Sequence, residues 1–286
     1  MNAEDYSASD DALDKAGVLA KVLSTSVPMP LREQDAVLLE DAEQFSFGPQ
    51  NSRPAWSFGT GPVVLLVHGY SGRGIQMAQL ARTISRHGFQ AVIFDAGGHG
   101  SARQEKIGFD TFIEDTAAIA SHIGKPLFAM IGHSAGGLAM MRARAIHGIR
   151  AQRYAVIAAP YYPYVPLDNM IKRGAPRSVL PYVKAILSDQ FRATWTELAG
   201  GISFLPEEGK PLLAIYDESD DRVQATDAEK ISALWPNTKV VRTPGYGHNK
   251  LLQSKETLKA TTDFLLDTVT TSAAQALQDQ SREHTG

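Results

Sequence analysis

A serine, a histidine and a crowded group of carboxylates supply the side chains for nucleophilic catalysis in this chain. Ser134 lies in Gly132-His133-Ser134-Ala135-Gly136, after the apolar run Pro126–Ile131 and before the helix-like Leu138–Ala145. Strand, tight G-x-S-x-G turn and helix together make a nucleophile elbow. Glycines at 132 and 136 remove side chains that such a turn cannot hold. Ser134 would then stand at a strand's C-terminal end, beside a helix N-terminus that favours negative charge. A hydroxyl is a weak nucleophile until a base takes its proton, and the base needs an orienting carboxylate. His248, in Pro244-Gly-Tyr-Gly-His-Asn249, comes late in the chain in a Gly-flexed loop after an apolar segment. Before it, Asp217, Glu218, Asp220 and Asp221 crowd the loop after Leu212–Tyr216. The order serine, acid, histidine suits such a triad.

Two further Gly-rich turns follow apolar runs. In Val67-His-Gly-Tyr-Ser-Gly72 the N–H of Tyr70 could face a developing oxyanion, together with the N–H of Ala135 after the nucleophile. Asp95–Ser101 reads as supporting turns, with His99 as scaffold rather than base. An EF-hand reading of the acidic loop fails. Counted from Asp217, the sixth and twelfth positions hold Arg222 and Ala228 where Gly and Glu are needed. A dinucleotide site fails too, because Gly69-Tyr-Ser-Gly72 lacks the G-x-G-x-x-G spacing. No metal site and no cofactor are expected.

These residues need elements to position them, and the hydropathy pattern supplies strands and helices in alternation. Strands are expected over Ala36–Phe47, Ala55–Phe58, Val63–Val67, Ala91–Phe94, Leu127–Ile131, Tyr154–Ala158, Leu212–Tyr216 and Lys239–Arg242. Helices are expected over Ala12–Leu23, Ile75–His87, Thr111–Ile123, Leu138–His147 and Lys250–Val269. Alternation argues for a mainly parallel sheet covered on both faces, with ligands at the strands' C-terminal ends. Residues 159–206 break the rhythm. They carry no clear strand but are rich in aromatics, and helices fit Leu167–Arg173, Val179–Leu187 and Phe191–Leu198. The expected organisation is an N-terminal extension (1–35), a core (36–158 and 207–270), a helical cap (159–206) and a flexible tail (271–286).

Composition narrows the function. The 286 residues are 43% hydrophobic and 21% charged, ordinary for a globular protein. A net charge of −3 and the lack of a basic run give no case for nucleic acid. With no cysteine, thiolate nucleophiles, thiolate metal sites and disulfides are excluded. No apolar stretch is long enough to span a bilayer, and the acidic N-terminus does not read as a signal peptide. The expectation is a cytoplasmic protein with no membrane partner.

Taken together, the motifs resemble those of the α/β-hydrolase superfamily over roughly 55–266, outside the cap. The family's oxyanion strand end is similar to His68-Gly69-Tyr70, its elbow to Gly132–Gly136 and its terminal Gly-His to Gly247-His248. Its Asp-x-x-Gly-x-Gly-x-Ser turn is approximated by Asp95–Ser101. Its acid loop, His-Gly-x-x-Asp-x-x-Val, aligns with Tyr216–Val223. That puts the acid on Asp220, with Asp217 and Asp221 as alternatives because Tyr216-Asp217 replaces His-Gly. The oxyanion loop lacks the triple glycine of the lipase-like branch. The resemblance implies an eight-stranded α/β-hydrolase fold with a helical cap and a serine hydrolase triad of Ser134, His248 and Asp220. Carboxylic esters of small to medium apolar substrates are the expected substrates, with Tyr161, Tyr162, Tyr164 and Trp195 lining the pocket. Thioesters, lactones, amides and carbon–carbon bonds suit the same triad, and a slow-turnover receptor shares the fold. Ser134 in place of Asp at the elbow excludes epoxide hydrolase and haloalkane dehalogenase chemistry.

Overall fold

The computed structural model describes residues 33–102 and 108–267. The segments expected at 12–23 and 271–286 lie outside them. Eight strands form one sheet in the order β1-β2-β4-β3-β5-β6-β7-β8. They are β1 (Glu43–Phe47), β2 (Arg53–Phe58), β3 (Val63–Val67), β4 (Gln90–Phe94), β5 (Leu127–His133), β6 (Ala151–Ile157), β7 (Leu212–Asp217) and β8 (Thr238–Thr243). β2 pairs antiparallel with β1 and β4, and the remaining pairings are parallel. The expected α/β-hydrolase fold is therefore present.

The central strands are apolar because both faces are covered. Along β3, Val63, Leu65 and Val67 join one core, while Val64 and Leu66 join the other. The first core is closed by helices α2 (Phe109–Ile123), α3 (Ser134–His147) and α7 (Asp227–Leu234), through Phe112, Leu138 and Ile231. The second is closed by α1 (Ala78–Ser85) and α8 (residues 255–267), through Leu80, Ile84 and Phe264. Each fully buried aliphatic or aromatic side chain contributes about 1.5–3 kcal/mol. That burial fixes where the strand ends, and hence the loops, stand. Arg153 ties α8 to the sheet: its guanidinium lies between the rings of Phe128 and Phe264, 5.0 Å from each, and donates to the Phe264 carbonyl.

The cap segment forms α4 (Val165–Lys172), α5 (Leu180–Gln190) and α6 (Trp195–Ala199). It is fastened to the core by polar groups. Asp227, fully buried at the start of α7, accepts from the Tyr161 N–H at 3.0 Å and the Tyr164 hydroxyl at 2.7 Å. Arg142 on α3 donates to the carbonyls of Phe191 and Arg192 at 2.6 and 2.7 Å.

Several expected boundaries differ. Residues 33–39 are helical turns, and β1 starts only at Glu43. A short apolar run such as Val37-Leu38-Leu39 packs equally well as strand or helix. The helix expected over Phe191–Leu198 begins at Trp195, because Arg192 has φ +49° and Thr194 caps the next turn. Thr194 Oγ1 accepts from Glu197 N, and Glu197 Oε2 accepts from Thr194 N, a capping box. The final helix, expected from Lys250, is interrupted at Ser254, whose hydroxyl caps Thr257 N. α7 was not expected at all; its apolar positions are few, although Asp227 and Glu229 mark a helix start.

Asp227 gives a direct test of the cap attachment. Asp227→Ala strands two buried donors, so urea denaturation should show a loss of about 3 kcal/mol. Lys230→Ala, which removes the half-exposed ion-pair partner 2.8 Å away, should cost less than about 1 kcal/mol. Equal, small losses would contradict the fastening role.

Candidate active site

Ser134 is the first residue of α3, directly after β5, and has φ +52°. A non-glycine residue in the left-handed region is a strained conformation held by its surroundings. Those surroundings are close-packed. A Cβ on Gly136 would come within 1.9 Å of the His68 carbonyl at the end of β3. The first turn of α3 thus rests against backbone, and only glycine permits it. A Cβ on Gly69 would lie 3.1 Å from Ser134 Cβ, so the loop after β3 passes directly over the serine.

Three elements bring Ser134, His248 and Asp220 to one point. Ser134 Oγ lies 2.9 Å from His248 Nε2. His248 Nδ1 lies 2.7 Å from Asp220 Oδ2. The other Asp220 oxygen accepts the N–H groups of Arg222 at 2.8 Å and Val223 at 3.0 Å. Burial pushes the Asp220 pKa up. The hydrogen bond and charge of His248, with the two amides, outweigh that and hold the carboxyl below its usual range. The acid is therefore charged at neutral pH and fixed in orientation.

The alternative acids stand elsewhere. Asp221 is exposed. Asp217 is fully buried, but its carboxylate is occupied by the Thr243 hydroxyl and the N–H groups of Ser219, Tyr246 and Gly247.

Around the site three histidines are buried and neutral. His68 donates from Nδ1 to the Gly69 carbonyl at 2.8 Å and accepts from Ala96 N at Nε2. Burial lowers its pKa to about 4. His133 and His99 are pushed to about 3, again mainly by burial. His99 stacks edge-on with Tyr70 and Phe112 and holds the Gly97 carbonyl, as scaffold. Asp95 organises the same loop, accepting from Gly74 N and Ser101 N at 2.7 Å each.

The four aromatic residues expected to line the pocket form one cluster. Tyr162 meets Tyr161, Tyr164 and Trp195 at ring distances of 6.4, 5.1 and 5.7 Å. Tyr161 and Tyr164 are buried, and their polar groups are spent on Asp227, Gln224 and Gly200, which is cap attachment. Tyr162 and Trp195 are half-exposed. Lys184 sits over the Trp195 ring at 5.2 Å.

The strand order and the elbow between β5 and α3 define an α/β-hydrolase. The chain belongs to the serine aminopeptidase S33 family, whose model matches residues 60–268. An uncharacterized protein of Mycobacterium tuberculosis is 29% identical over 235 residues, covering 75% of this chain and 73% of that one. The 2-(acetamidomethylene)succinate hydrolase of Mesorhizobium japonicum is 24% identical over 250 residues, 72% of this chain and 89% of its own. Among solved structures, a Pyrococcus furiosus esterase aligns with a TM-score of 0.63 at 18% identity, over 86% of this chain and 97% of that one. No helix among the described residues is long and apolar enough to cross a membrane.

The buried histidines make stability depend on pH with a defined sign. Their folded pKa values lie below the unfolded value near 6.5, so unfolding takes up protons as pH falls below it. Stability should therefore fall between pH 7 and 5.5, above the ordinary carboxylate range. The limiting slope is about 1.4 kcal/mol per pH unit for each histidine. Urea titrations across that window check it, and His99→Asn should reduce the slope by about one proton. A flat profile would contradict the buried neutral state.

Proposed function

We propose that the protein is a serine hydrolase that cleaves carboxylic esters through an acyl-enzyme. The observation that carries this reading is the unbroken chain Ser134 Oγ, His248 Nε2, His248 Nδ1, Asp220 Oδ2, with links of 2.9 and 2.7 Å. His248 takes the Ser134 proton at Nε2 as the serine oxygen attacks the carbonyl carbon. Asp220 holds the Nδ1–H tautomer and stabilises the imidazolium. The negative charge on the carbonyl oxygen faces the N–H of Ala135, which the first turn of α3 leaves without an intrahelical acceptor. The second donor is the N–H of Tyr70, in the loop that crosses over Ser134. Collapse of the intermediate releases the alcohol, which takes the proton from His248. Water, activated by the same imidazole, then hydrolyses the acyl-enzyme and restores the serine.

Esters of small to medium apolar acids suit the partly exposed Tyr162 and Trp195 rings, which give the cap an apolar surface. Amides are the second reading, favoured by the family and by its Mesorhizobium japonicum relative, a hydrolase of an acetamido compound. Paired p-nitrophenyl ester and p-nitroanilide substrates of equal acyl length separate the two.

Turnover of p-nitrophenyl butyrate should fall at least about 10⁴-fold in kcat in Ser134→Ala or His248→Ala. Asp220→Asn, which favours the wrong tautomer, should cost at least about 10³-fold. Undiminished hydrolysis in Ser134→Ala would refute the proposal.

A further inference from the structure

The imidazole of His248 hangs from a loop that local geometry alone does not fix. Gly245 and Gly247, on either side of Tyr246, have φ +86° and +68°, and the helical turn that follows is only Gly247–Lys250. Even so, the base must hold its 2.9 Å distance from Ser134 Oγ to within a fraction of an ångström to act on it.

We infer that Asp217 and His133 are positioning residues that clamp the main chain of His248 from both sides and so set the distance between base and nucleophile. The inference rests on the serine hydrolase reading above. On the upstream side, one Asp217 oxygen accepts Gly247 N and the other accepts Tyr246 N, both at 2.9 Å. The remaining capacity of the carboxylate is filled by Ser219 N at 2.9 Å and the Thr243 hydroxyl at 2.8 Å. Four neutral donors thus hold a carboxylate that has no exposure to solvent. On the downstream side, His133 Nε2–H donates to the His248 carbonyl at 3.1 Å. His133 is covalently bonded to Ser134, so this contact ties the residue bearing the base to the residue next to the nucleophile.

The chemistry of each group suits the task. Burying a charge is costly unless it is fully hydrogen-bonded, and a carboxylate holds two amides at once where a neutral acceptor would hold them more weakly. Burial would raise the Asp217 pKa, but the amides of Gly247 and Tyr246, with Thr243 and Ser219, bring it below the usual range. His133 must be uncharged, since its ring is 4.9 Å from that of His248 and a second cation would oppose the catalytic imidazolium. Burial keeps it neutral. Neither residue touches the reacting atoms. Asp220 orients the ring, and Asp217 and His133 orient the backbone that carries it.

The test is steady-state ester hydrolysis normalised to competent sites. Those are counted by the p-nitrophenol released from an excess of a p-nitrophenyl phosphonate. Asp217→Asn keeps the shape but turns one acceptor into a donor facing an N–H. His133→Leu removes the donor, and His133→Gln restores one. We expect kcat per titrated site to fall about 10- to 100-fold in Asp217→Asn and His133→Leu, with KM within about twofold. His133→Gln should recover most of the loss. A fall only in the titrated fraction or in thermal stability, with kcat per site unchanged, would overturn the clamp and leave a purely structural role. If one variant fails to fold, the other decides alone, because each removes one side of the clamp. Failure of the underlying reading is distinct: the wild type itself would then release no p-nitrophenol, or Ser134→Ala would release as much.

Discussion

The close approach between the first turn of α3 and the end of β3 is the constraint from which the site follows. At Gly136 the two backbones meet so tightly that a methyl group would overlap the His68 carbonyl. That contact fixes the entry of α3, and the entry of α3 forces Ser134 into the left-handed region. The serine is thereby lifted off the strand, beneath the loop that carries Gly69 and Tyr70. The strain, of order 1–3 kcal/mol, is sustained by the apolar cores on either face of the sheet. A single steric contact thus sets the position of Ser134 and its proximity to the loop that carries Gly69 and Tyr70.

The remaining parts of the site share one physical style. Buried polar groups are held largely by main-chain amides and carbonyls, with Arg73 as an added charge partner 3.7 Å from Asp95. Asp220 keeps two amides on one oxygen while the other faces His248. Asp95 gathers two more amides, from Gly74 and Ser101, in the loop beside Tyr70. The buried histidines remain neutral and act as fixed hydrogen-bonding wedges. Such a network fixes the two carboxylates in orientation, because each oxygen already has its donors in place.

Much of this was legible in the sequence because the strands that matter are buried on both faces. Val63–Val67 and Leu127–Ile131 read as strands from composition alone, and each ends at a glycine-bearing turn. The residues expected to act, Ser134, Asp220 and His248, come together through loops that follow those strands. The acid was harder. Four carboxylates compete in the five positions 217–221, and only three-dimensional geometry separates the one facing the imidazole from the one facing the loop backbone. The aromatic cap residues were legible as a group but not in their separate tasks. The Tyr161 N–H and the Tyr164 hydroxyl are spent on Asp227, whose helix has too few apolar positions to announce itself. The role of His133 leaves no periodic signal, since it depends on a carbonyl contributed 115 residues later.

The central claim is that the Ser134 hydroxyl is made nucleophilic by His248. Reaction with a fluorophosphonate, followed by proteolysis and mass spectrometry of the peptides, tests it most directly. The account predicts one adduct per chain, on the peptide carrying Ser134, and none in His248→Ala over the same interval. An adduct on another residue, or labelling that is as fast without the imidazole, would contradict it.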